Sequence, residues 1–103
     1  MTEAATAVPP VGTLTDRVQF QRADGDDFVP VATIWSRVRA LSSRAEPTPG
    51  ISHHVVTRFR TDVKAGDRFV FRGLLLLIVD TADLNGRRAY SSHRCRQVPH
   101  DPR

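Results

Sequence analysis

Residues 64–80 read KAGDRFVFRGLLLLIVD, and the run of six apolar residues at 74–79 constrains the fold more than any other stretch. Six residues make under two helical turns, and Gly73 and Asp80 close the run at both ends, so it reads as a strand. Before it, Arg68 to Arg72 alternate: Phe69 and Phe71 share one face, and Arg68, Val70 and Arg72 share the other. The whole stretch is a hairpin. Because 74–79 is apolar on both faces, its second arm belongs at the centre of a sheet or at an interface.

The remaining segments carry the same period. Residues 14–22 (LTDRVQFQR) place Leu14, Val18 and Phe20 on one face and Arg17, Gln19 and Gln21 on the other. Residues 23–27 (ADGDD) are a turn in which Gly25 is free to take positive φ. Its three aspartates lack the spaced ligands and closing Glu of a calcium loop. Residues 28–41 (FVPVATIWSRVRAL) form a second extended region centred on 35–39. Strict alternation puts Trp35 and Val38 on opposite faces, so either both faces are covered or a bulge resets the register. Residues 53–60 (HHVVTRFR) are a third strand, Asn85-Gly86 is the strongest short hairpin signal, and 89–97 (AYSSHRCRQ) is a last strand with Ser91, His93 and Cys95 on one face. Short strands at turn-marked spacing, with no amphipathic helix, predict an all-β fold: a small antiparallel β-barrel or sandwich of about six strands. Strands two and three are joined by a long loop. A chain of 103 residues holds one such domain, expected at 14–98 between a flexible arm (1–13) and a short tail (99–103).

The chemistry expected of the chain is sparse. Cys95 is the single cysteine, which fits a reducing compartment and a buried structural role. His53, His54, His93 and Cys95 lack metal-ligand spacing, and no Gly-rich phosphate loop or nucleophile–base pair is present. The reading is of a protein that is not an enzyme and uses no cofactor or metal. No apolar run approaches the roughly 20 residues of a membrane span, and the first thirteen residues lack the basic and apolar parts of a signal peptide. Synthesis in the cytoplasm is expected. Charge is uneven: residues 1–34 carry two arginines against five carboxylates, while 35–72 carry eight basic residues against three acidic ones. Such polarity fits nucleic-acid contact or head-to-tail contact between like subunits. Trp35 and Tyr90 among arginines offer stacking surfaces to a single strand, but the apolar neighbourhood of Trp35 assigns it to the core with Phe69 and Phe71.

The order of these signals resembles a known family. Leu14-x-Asp16-Arg17-Val18 leads to Phe20-Gln21-Arg22, then to a Trp-centred strand Ile34-Trp35-Ser36-Arg37-Val38. A Pro/Gly loop follows, then Thr57-Arg58-Phe59-Arg60-Thr61-Asp62-Val63, then Gly66-Asp67-Arg68-Phe69, the hairpin at Gly73 and a last strand containing Cys95. Over residues 14–97 this is similar to the phage head–tail joining family, the head-closure or stopper proteins of siphovirus-like phages and gene transfer agents. The resemblance implies a small β-barrel that assembles into a homo-oligomeric ring, a hexamer or dodecamer, at the neck of a particle built in a bacterial cytoplasm. Adaptor and portal proteins would lie above it, tail terminator or tail tube proteins below, and packaged double-stranded DNA in the channel. It also implies a channel loop, here Ser42, Ser43, Arg44, Ala45, Glu46, Pro47, Thr48, Pro49, Gly50 and Ile51. The basic residues Arg37, Arg39, Arg58 and Arg60 are candidates for the channel or a subunit interface. The alternative is a small-barrel nucleic-acid-binding protein.

Overall fold

The computed structural model describes residues 14–41 and 50–99. It contains six strands: β1 (Asp16–Asp24), β2 (Asp27–Ala40), β3 (His53–Arg58), β4 (Arg68–Phe71), β5 (Leu74–Asp83) and β6 (Tyr90–Val98). Every pairing is antiparallel. The order β1-β2-β3-β6-β5-β4 closes on itself through β4 and β1, so the barrel has no edge where it closes. The all-β expectation holds. No helix among the described residues is long and apolar enough to cross a membrane.

Turn chemistry sets the hairpins. Phe71 and Leu74 pair across Arg72 (φ 50°) and Gly73 (φ 83°), the two left-handed positions of a type I′ turn that twists with its strands. At the other tight hairpin Asp24 pairs with Asp27 and Gly25 takes φ 63°. The Asn85-Gly86 signal marks a hairpin, but not a two-residue one. A short 3-10 turn (Leu84–Gly86) precedes three further connecting residues. The Asp83 carboxylate accepts from the Arg88 N–H at 3.0 and 3.1 Å, which holds the wider loop.

The barrel interior is apolar at its centre: Val18, Phe20, Val55, Val63, Phe69, Leu76, Ile78 and Cys95 are each at most 2% exposed. Phe20 and Phe69 meet at a tilt of 55° with ring centroids 6.0 Å apart. Phe71 packs against this cluster from its margin and is only partly buried, so it belongs to the rim rather than the centre. Beside the cluster lies a polar layer. The Thr57 hydroxyl donates to the Arg58 carbonyl at 2.8 Å. That leaves it an acceptor for His93 Nε2 at 3.0 Å, while Nδ1 accepts from Thr81 at 2.8 Å. The imidazole edge also meets the Phe69 ring at 5.2 Å. Burial holds the His93 pKa down at about 4 and pushes the Cys95 thiol up to about 12. Cys95 is therefore an inert core residue at neutral pH.

The 59–67 connection is pinned by buried Asp67. Its carboxylate accepts from the N–H groups of Ala23 at 3.0 Å and Lys64 at 3.1 Å, tying the connection to β1.

Candidate interaction surface

Two β-bulges interrupt the ladders. In the β1–β2 ladder Phe20 faces Ala32 and Gln21 faces Pro30, which leaves Val31 unpaired. Pro30 has no N–H to give, so an irregularity here costs the ladder little. Past this bulge β2 alternates cleanly: Ile34, Ser36 and Val38 turn inward, while Thr33, Trp35, Arg37 and Arg39 stand outside. The second bulge leaves Val79 unpaired between Ile78–Cys95 and Asp80–Arg94. It lets β5 run on to Asp83, three residues past the expected stop.

Trp35 is therefore not core; it is 54% exposed. Unbroken alternation along β2, in phase with Arg37 and Arg39 and opposite Arg17, decides its side. Arg17 lies directly opposite in the ladder, with its guanidinium 5.0 Å from the Trp35 ring centroid. Such a contact steadies an exposed indole without hiding it. Leu14, Thr15, Trp35 and Arg58 line a shallow cleft of about 230 Å³. Arg37 faces Val56 and Arg39 faces His54 across β2–β3. The result is an exposed indole on a basic outer face with no carboxylate lining its cleft.

The four arginines grouped from sequence separate. Arg37, Arg39 and Arg58 are exposed on the outer face. Arg60 lies beyond the end of β3, gripping Asp62 through Nε at 3.0 Å and Nη2 at 2.8 Å with its guanidinium 5.6 Å from the Phe20 ring. That hydrogen bond holds the Asp62 carboxyl below the usual range. Arg60 closes one end of the barrel and does not join the basic face. On the opposite side Arg94 pairs with Asp80, whose pKa the contact lowers.

Of the candidate channel loop, Ser42, Ser43, Arg44, Ala45, Glu46, Pro47, Thr48 and Pro49 lie outside the described residues. Gly50 and Ile51 are described, and the base of the loop is firm. The Leu41 N–H donates to the Ser52 carbonyl at 2.8 Å, Ser52 N–H to the Cys95 carbonyl at 2.9 Å, and Gln97 N–H to Ser52 Oγ at 2.7 Å.

The acidic turn expected at 23–27 caps a two-stranded β1–β2 ribbon that runs past the strands flanking it. β4 pairs with β1 only at 19–21, and β3 pairs with β2 only at 36–40. Among the described residues, then, 22–24 pair only with 27–29 in the sheet, and Val31 pairs with no strand. The ribbon carries Asp24, Asp26 and Asp27 at the tip with exposed Val29 and Val31 behind them. Arg68, 3.9 Å from the Phe28 ring centroid, braces the ribbon one pair below its tip. The molecule measures 49 × 29 × 21 Å. Among the described residues no group of three or more His, Cys, Asp or Glu side chains is placed to hold a metal ion.

No family model matches the chain, and no curated protein matches it. Its structure is similar to the solution structure of protein SF1141 from Shigella flexneri 2a. The TM-score is 0.64 at 22% sequence identity, covering 88% of this chain and 98% of that one. The likeness is one of fold.

Proposed function

We propose that the chain is a structural head-to-tail connector, a head-closure protein that forms a ring at the neck of a tailed-phage or gene transfer particle. There it helps to retain packaged DNA and to dock a tail. The observation that carries this reading is the exposed Trp35, set by Arg17 on a face with Arg37 and Arg58. Large aromatics and arginines in that arrangement are the usual anchors of protein interfaces. The ordered resemblance over residues 14–97 supports the choice of assembly, and a small closed barrel is the fold that resemblance implies.

The same face favours the second reading. An exposed Trp among arginines on a small barrel is also how single-stranded nucleic acid is held, by stacking and backbone charge. The acidic tip of the same strand pair argues for the connector, since Asp24, Asp26 and Asp27 would repel a phosphate backbone that ran along it.

Deleting the gene from a strain that produces particles tests the proposal. The connector reading expects heads that package DNA but lose it and remain tailless. Complete, infectious or transducing particles from the deletion strain would refute it.

A further inference from the structure

Two surfaces of the chain are complementary and cannot meet within one molecule's ladder. One is the ribbon tip, where Asp24, Asp26 and Asp27 stand in front of exposed Val29 and Val31. The other is the outer face, where Trp35 and its cleft lie beside Arg37 and Arg58. Among the described residues the ion pairs are Arg60–Asp62 and Arg94–Asp80, so the charges on both surfaces are without ionic partners there. Each surface also exposes large apolar side chains: Val29 is 45% exposed, Val31 38% and Trp35 54%.

We infer that the acidic ribbon tip of one copy docks on the Trp35 face of the next, with Val29 and Val31 against the indole and the tip aspartates against Arg37 and Arg58. The partner is a second copy of this chain, and that choice rests on the connector reading. The geometry is heterologous: each copy offers a tip to one neighbour and a face to the other, so contacts repeat until a rotation closes them into a ring. The charges steer and set direction, while the apolar contact supplies adhesion. The same complementarity opposes tip-to-tip and face-to-face pairing, where like charges would meet.

Reversing charge on each side separately, then mixing, tests the docking. One variant carries Asp24→Lys, Asp26→Lys and Asp27→Lys; the other carries Arg37→Glu and Arg58→Glu. All five positions are exposed, and circular dichroism and the melting temperature verify that both variants fold. In sedimentation velocity at low salt, with protein treated with nuclease and raised toward millimolar concentration, wild type is expected to associate. Each variant alone should sediment as a monomer. The mixture should associate again, because each variant's altered surface now complements the other's. A 12-nucleotide single strand serves as the nucleic-acid probe.

A monomeric wild type, variants that associate like wild type, or a mixture that stays monomeric would each overturn the docking. So would loss of oligonucleotide binding in the face variant with self-association unchanged, which assigns the face to nucleic acid. The connector reading fails separately, through the particle phenotype of the deletion strain. Particles that need the chain while the charge-swapped mixture stays monomeric would leave that reading intact and remove only this docking.

Discussion

His93 is the residue where interior chemistry is most exposed to test. It is fully buried, bonded by Thr57 and Thr81, and packed on Phe69, with Arg60 and Asp62 the nearest charges that act on it. Its pKa of about 4 lies below the ordinary 6.5. As pH falls below 6.5 the unfolded chain takes up a proton that the folded chain refuses, so stability falls with pH until about 4 and then levels for this group. Between pH 7 and 5 the loss should be about 2 kcal/mol. His53, also lowered by burial, adds in the same direction. Asp62 and Asp80, with lowered pKa values, lose their contribution only as pH drops below the ordinary carboxylate range. Urea titrations of wild type and His93→Gln at pH 7 and 5 measure this. The variant should be weaker at pH 7 and less sensitive to acid, and an equal slope in both proteins would assign the acid sensitivity elsewhere. A second contrast separates core from surface. Phe69→Ala should cost about 3–5 kcal/mol by cavity formation, whereas Trp35→Ala should cost under about 1 kcal/mol. Thermal melts of the two variants distinguish them, and a large loss for Trp35→Ala would mean that the indole is buried after all.

At the scale of elements, most of the barrel is legible in the alternation of the chain. Val18 and Phe20, Val55 and Thr57, and His93 and Cys95 each show the period of two that places them inside. Two kinds of feature were not legible. One is the bulge, a single unpaired residue that no period announces. Val31 interrupts β2 before its regular run from Ala32 to Ala40, and Val79 interrupts β5 just before Asp80. Yet Trp35 shares its parity with Arg37 and Arg39, and counting from those charges would have placed it outside. The other feature is where ladders stop. Which residues of β1 and β2 lack a second neighbour depends on the lengths of β3 and β4, and a sequence read strand by strand does not contain that information. The loop base yields a prediction at this scale. Because Leu41, Ser52, Cys95 and Gln97 fasten it from outside the replaced segment, exchanging residues 43–50 for a short Gly-Ser turn should leave a cooperative fold. Closure entropy changes slowly with length, so the melting temperature should move by no more than about 5 °C. Loss of cooperative unfolding would show that the segment contributes to the core.

For the whole molecule, the distribution of charge and apolar surface matters more than any one group. Among the described residues, buried His93 and Asp67 are hydrogen-bonded within the barrel, whereas the Trp35 face and the ribbon expose apolar and charged side chains together. We propose that the Trp35 face and the ribbon serve assembly at the neck of a particle. Imaging purified particles by electron cryo-microscopy, with mass spectrometry for this chain, tests that claim most directly. The chain is expected in intact particles as a ring of barrels between the portal–adaptor complex and the tail. Particles that lack the chain, while the cellular protein is recovered on single-stranded nucleic acid, would contradict it.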